Sequence, residues 1–306
     1  MRNYLHYVVL FVLLIIATVT FLFKDDMVRV YYDFFVIPSK KVKIAKKNSY
    51  YRPYDFEFVK NTDNFEPATK QDLINIIYTV INSGKREFTF YCPKSYETCL
   101  QDVKDIARDQ VLLSNINNYV HPFNSFRNIS TQTDTLGPVI ISITKTYTYD
   151  DIRIVKENVK AMEKELFDPN LSQRDQIKKI HDYIIENSKY DSNRTDNGII
   201  DYKSDIAYGP LIEGYGICGG YSDAMELFLE DLGIKSFKVS SDTHVWNAVN
   251  LDGTWYNLDL TWDDPVTNTG DQILDDKFFL ISTNELLSLE QSQHNFDLNS
   301  YKELSN

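Results

Sequence analysis

Glycine and proline are scarce in this chain of 306 residues, at 11 and 9 copies, and cysteine stops at three. So few breakers exclude a low-complexity or collagen-like chain, and no internal repeat is present. Basic residues are outnumbered: 32 Lys and Arg against 44 Asp and Glu leave a formal net charge of −12. A nucleic-acid partner needs a concentrated basic face, so none is expected. The aspartates Asp259, Asp263 and Asp264 raise the question of a metal. However, no D-x-D-x-D-G loop gathers the oxygens a hard cation needs, and one cysteine with one nearby histidine makes no zinc site. Neither metal nor cofactor is expected.

What the chain does have is ordinary globular material, 43% hydrophobic and 25% charged, behind an unusual start. Tyr7 to Phe23 contains no charged residue, and Leu5 extends the run. At ~1.5 Å per helical residue, Leu5 to Phe23 spans roughly 28 Å, close to the hydrocarbon thickness of a bilayer. The run ends in Phe21-Leu22-Phe23-Lys24-Asp25-Asp26, without a small-residue cleavage site or a cysteine to take a lipid. Residues 1–26 therefore read as an uncleaved, single-pass signal anchor. Arg2 before the span favours the N-terminus inside and the body outside, with the Lys40-Lys41 cluster pulling the other way.

Residues 27–54, with Pro38 and Pro53, read as a stalk whose early part, Met27 to Ile37, suits extended chain. Residues 55–149 read as a small α/β domain. Leu73, Ile76, Ile77, Val80 and Ile81 share one helical face, and Gly84 is placed to end that helix. Strands are expected at Glu87–Tyr91, 127–133 and 138–148. Residues 150–306 form the remaining domain, with helices over 151–167 and after Ser172. His181 and His294 read as packed side chains, and Lys277–Ser282 (KFFLIS) reads as a last strand.

The chemistry concentrates between Gly214 and Pro265. Cys218 lies in Gly214-Tyr215-Gly216-Ile217-Cys218-Gly219-Gly220, directly before an amphipathic pattern of Ala224, Leu227, Phe228 and Leu232. A cysteine at a helix start meets free N–H groups and the positive end of the dipole, which favour a thiolate and suit an oxyanion. His244 opens a strand pattern, Asp252-Gly253 signals a two-residue hairpin turn, and the return strand, Trp255 to Leu260, carries Asp259. With that turn His244 faces position 261, and matching parity puts it on the face of Asp259 as a diagonal pair. A thiolate, a base and a carboxylate to orient the base are the parts of nucleophilic thiol catalysis.

The order Cys218, His244 in HVWN and Asp259 in WYNLDLTWDDP resembles the transglutaminase-like superfamily, above all its bacterial branch. Weaker similarity runs back through KIHDYIIENSKYD and AYGPL and forward to FFLIS and His294. The resemblance implies an α+β, papain-like core in which the nucleophile's helix packs on an antiparallel sheet. It implies Cys218 as nucleophile, His244 as general base and acid, and Asp259 as orienter. Tyr208, Gly219, Trp246, Asn247 and Trp262 fall where the family shapes its cleft or oxyanion site. Cys92 and Cys99 are candidates for a disulfide in an oxidising compartment, which would leave Cys218 as the free thiol. The expected function is a membrane-anchored thiol enzyme acting on amides of proteins or cell-envelope peptides. Transfer to an amine and hydrolysis by water share the triad and stay open. The alternative is a non-catalytic peptide-binding or scaffold module on the same fold. Oligomeric state is not legible.

Overall fold

The computed structural model describes residues 2–31, 34, 42–134, 137–265 and 273–305. Helix α1 (Arg2–Leu22) is followed by α2 (Lys24–Tyr31). Side chains from His6 to Phe23 are exposed. No single described helix is long and apolar enough to cross a membrane; His6–Leu22 and Lys24–Tyr31 meet that test only together, as a pair bent by 68°. The chain thus turns at Phe23, and 27–31 continue as helix rather than as extended chain. The rest of the expected extended piece, with Pro38 and the Lys40-Lys41 cluster, lies outside the described residues apart from Phe34.

From Asn48 onward the expected stalk is instead bound to the body. Arg52 is completely buried, and its guanidinium meets Glu226 at 2.9 Å and Glu230 at 3.1 Å. A buried arginine is stable only when its donors are answered. The backbone carbonyl of Tyr119 takes a third contact at 3.2 Å.

Helix α3 (Lys70–Asn82) begins with a capping box from Thr69 and Asp72 and buries the apolar stripe read from the sequence. Gly84 follows at φ 75°, in the left-handed region that suits a helix end. Strands β1 (Glu87–Tyr91), β2 (Phe126–Thr133) and β3 (Pro138–Lys145) form an antiparallel sheet in the order β1-β3-β2. Helices α4 (Cys99–Arg108) and α5 (Gln110–Asn118) intervene. Cys92 and Cys99 are bridged, with Cα atoms 5.7 Å apart.

The second half contains α6 (Tyr149–Leu166), α7 (Gln173–Glu186), β4 (Lys189–Tyr190), α8 (Ser192–Asn197), β5 (Tyr215–Gly216) and α9 (Cys218–Asp231). Then come β6 (Ser236–Ser240), β7 (Val245–Leu251), β8 (Thr254–Leu258) and α10 (Thr283–Leu289). The last three strands form an antiparallel sheet in that order, while β4 and β5 make a short parallel pair. Alternation along β7 divides its side chains between two cores. Val249 and Leu251 join Phe228 of α9 and Ile180 of α7. Trp246 and Ala248 join Ile76 of α3, Phe90 of β1 and Ile141 of β3. The cluster that holds Trp246 and Ala248 therefore draws on residues from both sides of the boundary expected at 149/150.

Lys277–Ser282 does not form a strand. Leu280 has φ 50°, a conformation that interrupts an extended run, and only Ile281 bridges to Asn257.

Candidate active site

Cys218 is the first residue of α9 and the free, partly exposed cysteine among the described residues. It reaches that place because residues 204–206 press onto the helix start. A Cβ on Gly220 would lie 2.3 Å from the carbonyl oxygen of Ser204, and one on Gly219 would lie 2.9 Å from that of Asp205. Only glycine permits that approach. The N–H groups of Gly220 and Tyr221 are taken by the carbonyl of Ile217. In the first turn this leaves the N–H groups of Cys218 and Gly219 free of intrahelical acceptors.

Helix and sheet are then pinned together near the thiol. The Ser222 hydroxyl donates to the Cys218 carbonyl at 2.8 Å, with the Val245 carbonyl 3.1 Å from the same oxygen, and the Asn247 amide donates to the Ser222 carbonyl at 3.1 Å.

The hairpin of β7 and β8 has the register its turn dictates. Leu251 faces Thr254 and Asn247 faces Leu258, with Asp252 and Gly253 both at positive φ, 52° and 85°. His244 stands just before β7, and Asp259 one residue past the end of β8 rather than on it. They meet at the mouth of the hairpin, with His244 Nε2 at 2.6 Å from Asp259 Oδ2. That bond leaves Nδ1 as the nitrogen free to face Cys218, whose sulfur lies near enough to help raise the imidazole.

Burial by itself would push the His244 imidazole down. The charge and hydrogen bond of Asp259, with those of Cys218, prevail and raise it to about 10. For Asp259 burial works upward, but both neighbouring imidazoles hold it well below the usual carboxylate range. At neutral pH the favoured arrangement is an imidazolium between a carboxylate and a sulfur. It offers a nucleophile and a proton to the same substrate.

The other expected cleft residues separate. Trp246 is buried, stacks beside His244 at 5.8 Å between ring centroids and donates its indole N–H to Asn257. Trp262 packs on Phe278 and on His294. Asn247 pins α9, as described above. Tyr208 has Lys203 over its ring at 4.5 Å, whereas burial, with Cys218 nearby, pushes the Tyr190 hydroxyl up. Asp263 and Asp264 are structural, Asp263 facing His181 at 3.1 Å and Asp264 taking the Tyr221 hydroxyl.

His294, read from the sequence as a packed side chain, proves to be a second partner of Asp259, with Nε2 at 2.9 Å from the same Oδ2. Nothing local marks it; only the weak family similarity running forward to FFLIS and His294 pointed to it.

Among the described residues, His244, Asp259 and His294 bring potential ligand atoms within 4.8 Å of one another. Tetrahedral zinc ligands at ~2.0 Å from the metal stand roughly 3.3 Å apart. The observed separations of 2.6 and 2.9 Å are those of N–H···O bonds, so the trio fits hydrogen bonding better than zinc.

Residues 160–260 match the model of the transglutaminase-like superfamily. No curated protein matches the chain. Among solved structures, a transglutaminase (TGase) is 14% identical over 45% of this chain and 45% of its own length, with a TM-score of 0.31. A candidate cysteine protease from Cytophaga hutchinsonii is 14% identical over 48% of this chain and 65% of its own, with a TM-score of 0.28. The chain thus spans less than two thirds of either protein. Residues 160–260 are thus transglutaminase-like, and the chemistry of the site rests on its own atoms.

Proposed function

We propose that the protein is a membrane-anchored thiol enzyme that cleaves amide bonds through an acyl-cysteine intermediate. The observation that carries this reading is the 2.6 Å bond of His244 to the buried, ionised Asp259, with the free thiol of Cys218 beside that imidazole at the start of α9.

Cys218 Sγ attacks the amide carbonyl, and its proton resides on His244. The developing oxyanion meets the N–H groups of Cys218 and Gly219. As the tetrahedral intermediate collapses, the C–N bond breaks, His244 gives its proton to the leaving amine, and a thioester remains on Cys218. Asp259 keeps the imidazole oriented throughout. An incoming amine or water, deprotonated by His244, then attacks the thioester and restores the thiolate–imidazolium pair.

The apolar N-terminal stretch, with Arg2 before it, supports an anchored protein facing outward. Peptides and proteins of the cell envelope are the substrates that location favours.

The test is incubation of the full-length protein in detergent with a glutamine-containing peptide library and a fluorescent primary amine. Label incorporation that disappears in Cys218→Ala supports transfer. Cleavage without incorporation supports hydrolysis. If iodoacetamide reacts with Cys218 no faster than with a free cysteine, and His244→Ala changes nothing, the enzyme reading fails and a binding module on this fold takes its place.

A further inference from the structure

Asp259 carries a second imidazole that acyl transfer does not itself require. His294 Nε2 shares the oxygen used by His244, while Asp259 Oδ1 accepts the N–H groups of Thr261 at 2.9 Å and Trp262 at 3.3 Å. On its other side, His294 Nδ1 lies 3.1 Å from the Glu290 carbonyl oxygen and 3.0 Å from Glu290 Oε2. The ring is completely buried, enclosed by Trp246, Trp262 and Phe278.

Every polar atom facing the two nitrogens of His294 is an acceptor. A neutral imidazole has one N–H and would set a lone pair against oxygen on one side, an expensive arrangement in a buried site. A doubly protonated ring satisfies both.

The geometry points to His294, seated on Glu290, as a positioning residue that fixes the Asp259 carboxylate and limits how firmly Asp259 holds the proton on His244. This rests on the thiol-enzyme reading. Fixing follows from count, since Asp259 cannot rotate away from His244 without breaking three other hydrogen bonds. Limiting follows from charge, since a cation on Oδ2 opposes a second cation on the same oxygen. An imidazole that must both take and return a proton within one turnover benefits from that restraint. Glu290 is suited to its part: burial works against its charge, but hydrogen bonds from Ser292, Gln293 and His294 bring its carboxyl down to about 2.

Iodoacetate supplies a test that needs no substrate. Its negative charge makes alkylation of a thiolate fastest while the neighbouring imidazole is cationic, so the rate falls as His244 loses its proton. With Cys92 and Cys99 bridged, Cys218 is the thiol that reports. The rate is followed from pH 4 to 11 in the full-length protein, with circular dichroism to verify folding.

His294→Gln keeps a donor to Asp259 and removes the charge; its alkaline limb is expected to move up by half a pH unit or more. His294→Phe fills the space but leaves Oδ2 one donor short. Its peak rate is expected to fall up to about 100-fold, the scale of a misplaced reacting group. A Gln limb at or below the wild-type position, or a Phe variant with an unchanged peak, overturns the proposal. His244→Ala separates the two failures. If it leaves alkylation unchanged, the thiol site itself is wrong; if it abolishes the bell while the His294 variants behave as wild type, only the role of His294 is wrong.

Discussion

His244 cannot lose its proton without cost to the fold, because Asp259 is buried against it and ionised. The imidazole sits at about 10 in the folded protein against an ordinary value of 6.5. A group raised on folding contributes stability that is complete below its unfolded value and is lost as pH climbs through the folded one. The denaturant midpoint is therefore expected to decline between pH 6.5 and 10, and Asp259→Asn should flatten that decline. A midpoint as pH-dependent in Asp259→Asn as in the wild type would contradict the assignment. At this scale Cys218, His244 and Asp259 were legible because turn chemistry and parity place two of them and a helix start places the third. His294 was not. It lies 35 residues beyond Asp259 in the chain, and a lone histidine carries no periodicity that tells packing from hydrogen bonding.

At the scale of elements, the start of α9 is set by contact and its end by backbone conformation. Gly220→Ala would drive a Cβ to 2.3 Å from one backbone oxygen and 3.1 Å from another, that of Ile206. Overpacking against backbone costs about 1–3 kcal/mol, and here it would also displace Cys218. Gly233, past the end of the same helix, has open space around it but φ 70°. Gly233→Ala should cost about 1 kcal/mol from strain alone. Urea denaturation measures both costs, and alkylation of Cys218 should slow only in Gly220→Ala. Elements with a clear period, such as α3 and α9, could be read directly from their apolar positions. KFFLIS misled because its composition suits a strand, while the turn that breaks it falls on Leu280, a residue type that announces no turn.

Across the whole molecule, the segment before α3 and the helix bearing Cys218 share one buried ion pair, Arg52 with Glu226. Removing one member strands the other: Arg52→Met is expected to cost about 3–5 kcal/mol. Arg52→Met with Glu226→Leu should recover most of that loss in the same urea titration. An additive outcome would show that the two side chains act independently. The common core explains why residues 55–149 defied a functional reading. Helix α5 packs on β6 beside β7, and Ile76, Phe90 and Ile141 share the cluster that holds Trp246 and Ala248, so part of the work of residues 55–149 is to complete the core beneath the sheet. No local pattern encodes that, since each element shows only that it has an apolar side.

The hairpin of β7 and β8 makes the site sensitive to the address of an insertion rather than to its size. A residue added at the exposed Asp252–Gly253 tip enlarges a loop and leaves the pairing of Leu251 with Thr254 available. The same residue added between Tyr256 and Asn257 turns Asp259 to the opposite face and away from His244. The first protein should still be alkylated rapidly at Cys218, and the second should react as an ordinary thiol. Two chains of equal length and equal composition would then differ in whether they contain an active site at all.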